Sequence, residues 1–199
     1  MDARQRRSQE SLHRAIIELA TERAVSGLTV SDITDRAGVN RSTFYAHAAS
    51  AAELLTAALL TDLERIRVAY VTRLGDGDPA GASNREATLR ILDHLERHRD
   101  LYLGAFDDVG GDSGIRVMLA AQFRRSVSEA VESGAVTVPH ESRLPGGAAS
   151  YISAGSAALM EEWLRLPAPR DPELYLDAFA QVLPAWWPLT ADAPETADA

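Results

Sequence analysis

Arg41, Ser42, Thr43, Tyr45 and His47 lie close together in the chain, with Phe44 as the one apolar residue among them. An arginine can grip guanine or a phosphate with two parallel hydrogen bonds. Short hydroxyls reach base edges and phosphates, and Tyr and His reach the nucleic-acid backbone. Such a set reads duplex DNA when a helix carries it into the major groove. The neighbouring residues predict that helix. Asn40 is placed to cap a helix from Arg41 to Ala48, and Phe44 is its core anchor. Upstream, Thr29 precedes a run in which Val30, Ile33 and Ala37 share one helical face, with Asp32 at its positive end. Gly38 tolerates positive φ and ends that first helix. Residues 29–55 therefore read as a helix-turn-helix. An ordinary helical hairpin with a polar outer face has the same spacing and stays open.

The run from Ser8 to Leu55 resembles the amino-terminal domain of tetracycline-repressor (TetR) family transcriptional regulators. The resemblance is carried by Leu12, Ile16, Leu19 and Ala20, then Gly27-Leu28-Thr29-Val30, Ile33, Ala37-Gly38-Val39, Ser42-Thr43-Phe44-Tyr45, His47, Ser50 and Leu54. It implies an all-α protein of about nine helices: a three-helix DNA-binding domain followed by a helical ligand-binding and dimerisation domain. It also implies a homodimer on a palindromic DNA operator, and a small-molecule effector. On this frame the DNA-contacting residues are Thr29, Arg41, Ser42, Thr43, Tyr45 and His47. Four positions depart from the family pattern. Ala48 stands where an aromatic is usual, Ala51 and Ala52 where a phosphate-binding Lys is usual, and Thr34 where a small Ala is common.

The chain has 199 residues and a net charge of −9, which is unusual for a DNA binder until it is divided. Residues 1–55 hold seven Arg against seven acidic residues, so the acidity belongs to the rest. All basic residues are Arg, and Arg4, Arg6 and Arg7 form a basic arm over residues 1–7, expected to be flexible. There is no cysteine, hence no disulfide, thiolate metal site or cysteine nucleophile. No signal peptide or apolar run of membrane-spanning length is seen, so a cytoplasmic protein without membrane contact is expected. Enzyme readings find no support. His94 and His98 share a helical face, but Glu96 is misplaced for a zinc-hydrolase motif, and the pair reads as a solvated face. No serine elbow or phosphate-binding loop occurs. No cofactor or metal is expected.

The remaining chain reads as helices separated by Gly- and Pro-rich breaks. The expected organisation is a DNA-binding domain at 1–50, a regulatory and dimerisation domain at 51–188, and an acidic disordered tail at 189–199. One long helix starts at Ala51 and ends near Leu74. Asn84 is expected to cap the next, and Asp171-Pro172 to open the last. Ala149, Ser153, Ser156 and Ala157, with Leu176, Phe179 and Leu183, would let a second copy approach closely; packing inside the monomer is the alternative. Tyr70, Leu92, Tyr102, Phe106, Met118, Gln122, Phe123, Tyr151 and Trp163 are the candidates to line an effector pocket. The function that follows is a ligand-responsive repressor released from its operator by a small molecule. A helical adaptor that binds a protein partner, with weak or lost DNA binding, is the alternative.

Overall fold

The computed structural model describes residues 3–107, 114–139 and 144–189. Of the tail expected at 189–199, Leu189 is described and buried, and residues 190–199 lie outside the described residues. Among those described, the regular structure is entirely helical: α1 (Ala3–Glu22), α2 (Val30–Ala37), α3 (Arg41–Tyr45), α4 (Ala51–Gly75), α5 (Ala80–Arg97), α6 (Arg99–Asp107), α7 (Gly114–Glu132), α8 (Gly147–Arg165) and α9 (Pro172–Val182). A single 3-10 turn, Val25–Gly27, precedes α2. Two compact units emerge. One comprises Met1–Asp62 and Asp100–Gly114, the other Leu63–Arg99 and Ile115–Ala199. The division falls within α4.

In the first unit α1 buries Leu12, Ala15, Ile16 and Leu19, a stripe at helical spacing, and packs on α2. Ile33, Phe44, Leu54 and Leu59 complete this core with no measurable exposure. Arg4, Arg6 and Arg7 are helical, not a flexible arm, because α1 already begins at Ala3 and no Gly or Pro interrupts it. Tyr102 and Phe106 on α6, which belong to this unit, are buried.

In the second unit α8 packs on α9, and α5 packs on both. Leu92, Leu95, Leu119, Trp163, Leu164 and Tyr175 are buried there. Arg67 on α4 pairs with Glu129 on α7, and Gln122 Nε2 donates to Glu64 at 2.9 Å. His94 corrects the solvated-face expectation: it is fully buried, its ring edge-on to His98 at 4.9 Å between centroids. Leu92 and Leu95 flank it in sequence and set the inward face of α5. Asn84 is not a cap, since α5 starts at Ala80. Its buried amide instead donates to Pro188 O at 2.6 Å and holds the segment after α9. That segment seats Trp186 and Trp187 against Tyr70, Leu74 and Ala130.

Candidate nucleic-acid interface and cavity

Local hydrogen bonds build the interface in the first unit. The Thr29 hydroxyl accepts from the Asp32 amide at 3.2 Å, and the Asp32 carboxylate accepts from the Thr29 amide at 2.9 Å. This reciprocal box starts α2. The Thr29 amide, and then the Thr29 hydroxyl donating to the same carboxylate at 2.8 Å, hold the Asp32 carboxyl below its ordinary value, with Arg23 at 2.7 Å following. Gly38 closes α2 at φ 66°, the left-handed conformation that a side chain resists. Thr34 fits its buried position because its hydroxyl donates to Val30 O at 2.9 Å.

Asn40 caps α3 and does more than a cap requires. Its Oδ1 accepts from the Thr43 amide at 2.8 Å, the Ser42 hydroxyl at 2.7 Å and the Thr43 hydroxyl at 2.8 Å. Both hydroxyls are thereby oriented and left with lone pairs to offer, the complement of cytosine and adenine amino groups. Phe44 is fully buried and roots the helix, while Tyr45 stands 61% exposed, edge-on to Phe44. Arg41 is exposed, and its Nη2 donates to Ser31 Oγ on α2 at 3.3 Å. The helix ends at Tyr45, short of Ala48, because the amides of His47 and Ala48 converge on Phe44 O and close a turn. Ala48 is buried. Ser50 then accepts from the Glu53 amide at 3.1 Å, and Glu53 accepts from Ala49 N at 2.7 Å, capping α4.

Arg41, Ser42, Thr43, Tyr45 and His47 thus share one short, largely exposed segment, and Thr29 starts the helix before it. A shallow groove beside them is lined by Arg4, Gln5 and Ser8 of α1 together with Ser42, Thr43, Ala46 and His47. The contributions of Gln5, Ser8 and Ser31, and the hold of Asn40 on the two hydroxyls, do not follow from the spacing. Only the asparagine two and three residues before two hydroxyls was visible as a pattern.

The second unit holds a cavity of about 80 Å³ lined by α4, α5, α7, α8, α9 and Trp187. Of the nine residues expected at a pocket, Tyr70, Gln122 and Phe123 line it. Leu92, Met118 and Trp163 are core residues instead, and Tyr151 is 70% exposed. Tyr102 and Phe106 belong to the first unit and do not line the cavity. Asn84, Thr88, Ser126 and Ser156 also line the cavity, and nothing in their spacing announced it. The seven residues expected at a dimer interface divide by burial. Ala149, Ser153, Ser156, Leu176 and Phe179 are buried within their own unit, and Ala157 and Leu183 are partly so. Small size let the alanines and serines of α8 pack inward between helices. The face left open on α8 and α9 is the opposite one: Tyr151, Ala154, Gly155 and Ala158, with Leu174 and Val182.

Residues 12–58 match the family model for bacterial regulatory proteins of the tetR family. No curated protein sequence matches this chain significantly. Among solved structures, the dihydroxyacetone kinase operon activator DhaS is similar at 17% identity and a TM-score of 0.62, over 88% of this chain and 93% of its own. RolR, solved without ligand, is similar at 20% identity and a TM-score of 0.51, over 92% of this chain and 91% of its own. No helix among the described residues is long and apolar enough to cross a membrane. The chain therefore has the all-α fold of tetR-family transcriptional regulators, and residues 12–58 carry that family's amino-terminal domain.

Proposed function

We propose that this protein is a cytoplasmic, homodimeric, ligand-responsive repressor. Thr29, Arg41, Ser42, Thr43, Tyr45 and His47 would contact a palindromic operator. The exposed segment of α3, with its hydroxyls oriented by Asn40 and its root buried at Phe44, is the observation that carries this reading. Arg41 and Thr43 suit base edges, and Tyr45 and His47 suit the backbone. Dimerisation would use the open face of α8 and α9. An effector in the cavity would favour dimers whose DNA-binding domains no longer match half-sites about one helical turn apart.

The test is selection of bound fragments from genomic DNA by the purified protein, followed by a salt titration on the best site. A repressor gives a discrete, two-fold-symmetric sequence. Affinity should fall with salt at a slope of about −0.9 per phosphate contact. Arg41→Ala should weaken that site by about 1–3 kcal/mol if Arg41 grips guanine. An unchanged affinity would remove Arg41 from base readout. The balanced charge of residues 1–55 and the alanines at 51 and 52 favour a second reading, an adaptor for a protein partner. Failure to enrich any sequence above background would select it.

A further inference from the structure

We infer that the cavity of the second unit takes an uncharged molecule the size of a single ring and bearing a hydroxyl group. The inference rests on the effector-responsive reading above and gives that effector a chemical class. Charge, hydrogen bonding and size each point to it.

Arg67 is the one charged side chain among the described lining residues, and only 8% of it is exposed. Its guanidinium is already engaged: Nε and Nη2 bond to Glu64, and Nη1 bonds to Glu129. Arg125 adds a second cation 3.3 Å from Glu129. Two arginines thus face two carboxylates, with no net charge for an anion to answer. An anionic ligand would have to displace a carboxylate from Arg67. A cationic one meets no carboxylate on the wall. Either would enter as a buried, uncompensated ion.

The hydroxyls on the wall have each used their single proton. Thr88 Oγ1 donates to Asn84 O at 2.8 Å, Ser126 Oγ to Gln122 O at 3.2 Å, and Ser156 Oγ to Ile152 O at 2.6 Å. What these three retain is lone pairs, which a proton on the ligand would answer, while the amides of Asn84 and Gln122 each keep a second N–H. Tyr70 is the complement. Its hydroxyl is buried with no partner, and burial raises its pKa, so it remains a protonated donor. A ligand hydroxyl answers both needs: it donates to a wall oxygen and accepts from Tyr70. A ketone or ether would answer Tyr70 alone and leave the wall hydroxyl oxygens unused. As for size, a water needs roughly 10–15 Å³ measured this way, so the cavity of about 80 Å³ holds roughly five to eight waters. One six-membered ring with a substituent fills that space against Phe123, Met160 and Phe179.

The experiment is equilibrium binding to the full-length protein by ligand-observed NMR, with three probes of one ring each. Phenol carries the hydroxyl, anisole has it methylated, and benzoate carries a charge. Phenol should bind at least ten-fold tighter than either of the others. Thr88→Val removes a wall oxygen at nearly constant shape. It should reduce the phenol-to-anisole ratio at least three-fold while anisole affinity holds. If that variant does not fold, Ser126→Ala carries the same comparison. Equal binding of phenol and anisole, tighter binding of benzoate, no binding of any probe, or a ratio unmoved by the wall variant overturns the inference. Operator affinity with and without phenol is measured separately. Selective cavity binding with unchanged operator affinity upholds the ligand class and removes only the effector role. Failure of the class with intact DNA binding leaves the regulator reading standing.

Discussion

One asparagine organises the candidate DNA-reading surface. Asn40 was legible as a helix cap because capping is local: an oxygen acceptor before a helical run meets the amide three residues on. Its hold on the Ser42 and Thr43 hydroxyls was not legible, since spacing does not say which rotamer a hydroxyl adopts. Asn40→Ala should lower stability by about 1 kcal/mol, or about 2–4 °C in Tm for a chain of this size. It should also weaken operator binding beyond what that loss explains, because two hydroxyls lose their orientation. Asn40→Asp separates the effects. It keeps the acceptor and the Tm but places a negative charge near phosphate, so its loss of affinity should grow as salt is lowered. Thermal melts beside fluorescence anisotropy on the selected site read both. Full operator affinity in Asn40→Ala would dismiss the orienting role.

Among the elements, those bounded by local rules were read well and those bounded by tertiary contacts were not. The Thr29–Asp32 box, Gly38 at the end of α2 and Pro172 at the start of α9 each follow from residues one turn apart. By contrast, α8 carries Ala, Ser and Gly around its whole circumference, so periodicity could not say that Ser153 and Ser156 turn inward while Ala154 and Gly155 face out. His94 was misread for the same reason: a polar pair one turn apart says nothing about what covers it. Between α4 and α7 the consequence is a dependence on pH. The Arg67 hydrogen bonds, with Gln122 second, pull the Glu64 carboxyl from 4.5 to about 2 against the opposing effect of burial. The folded value lies below the unfolded one. The contribution to stability is therefore present above about pH 4.5 and is lost as pH falls from there towards 2. Melts taken between about pH 6 and pH 3 should show Tm falling in the wild type, with part of that slope missing in Glu64→Gln. Identical slopes would mean that other carboxylates carry the acid sensitivity.

At the scale of the whole molecule, the proposed dimer rests on the side chains left open on α8 and α9. Tyr151, Leu174 and Val182 are large apolar side chains left exposed in one copy, with Ala154, Gly155 and Ala158 beside Tyr151 on α8. A second copy of the same face would cover them, with the small residues permitting close helix approach. Light scattering at micromolar concentration should give twice 21.5 kDa. Ala154→Arg should return the protein to monomer mass with an unchanged helical circular-dichroism spectrum, and should abolish tight operator binding through lost bivalency. A wild-type mass of 21.5 kDa would refute the dimer, and a dimeric Ala154→Arg would move the interface elsewhere.

The placement of the tryptophans makes the protein its own optical reporter. All three, Trp163, Trp186 and Trp187, lie in the second unit, and the first has none. Trp163 is buried and its indole donates to Asp171 O at 3.0 Å, so its emission should be blue-shifted and unresponsive. Trp187 forms part of the cavity wall and meets Trp186 edge-on at 6.2 Å. A molecule entering the cavity should therefore quench or shift the emission of that pair directly, with no dye attached. Excitation at the indole band would record cavity occupancy in a solution where labelled DNA reports its own release at another colour.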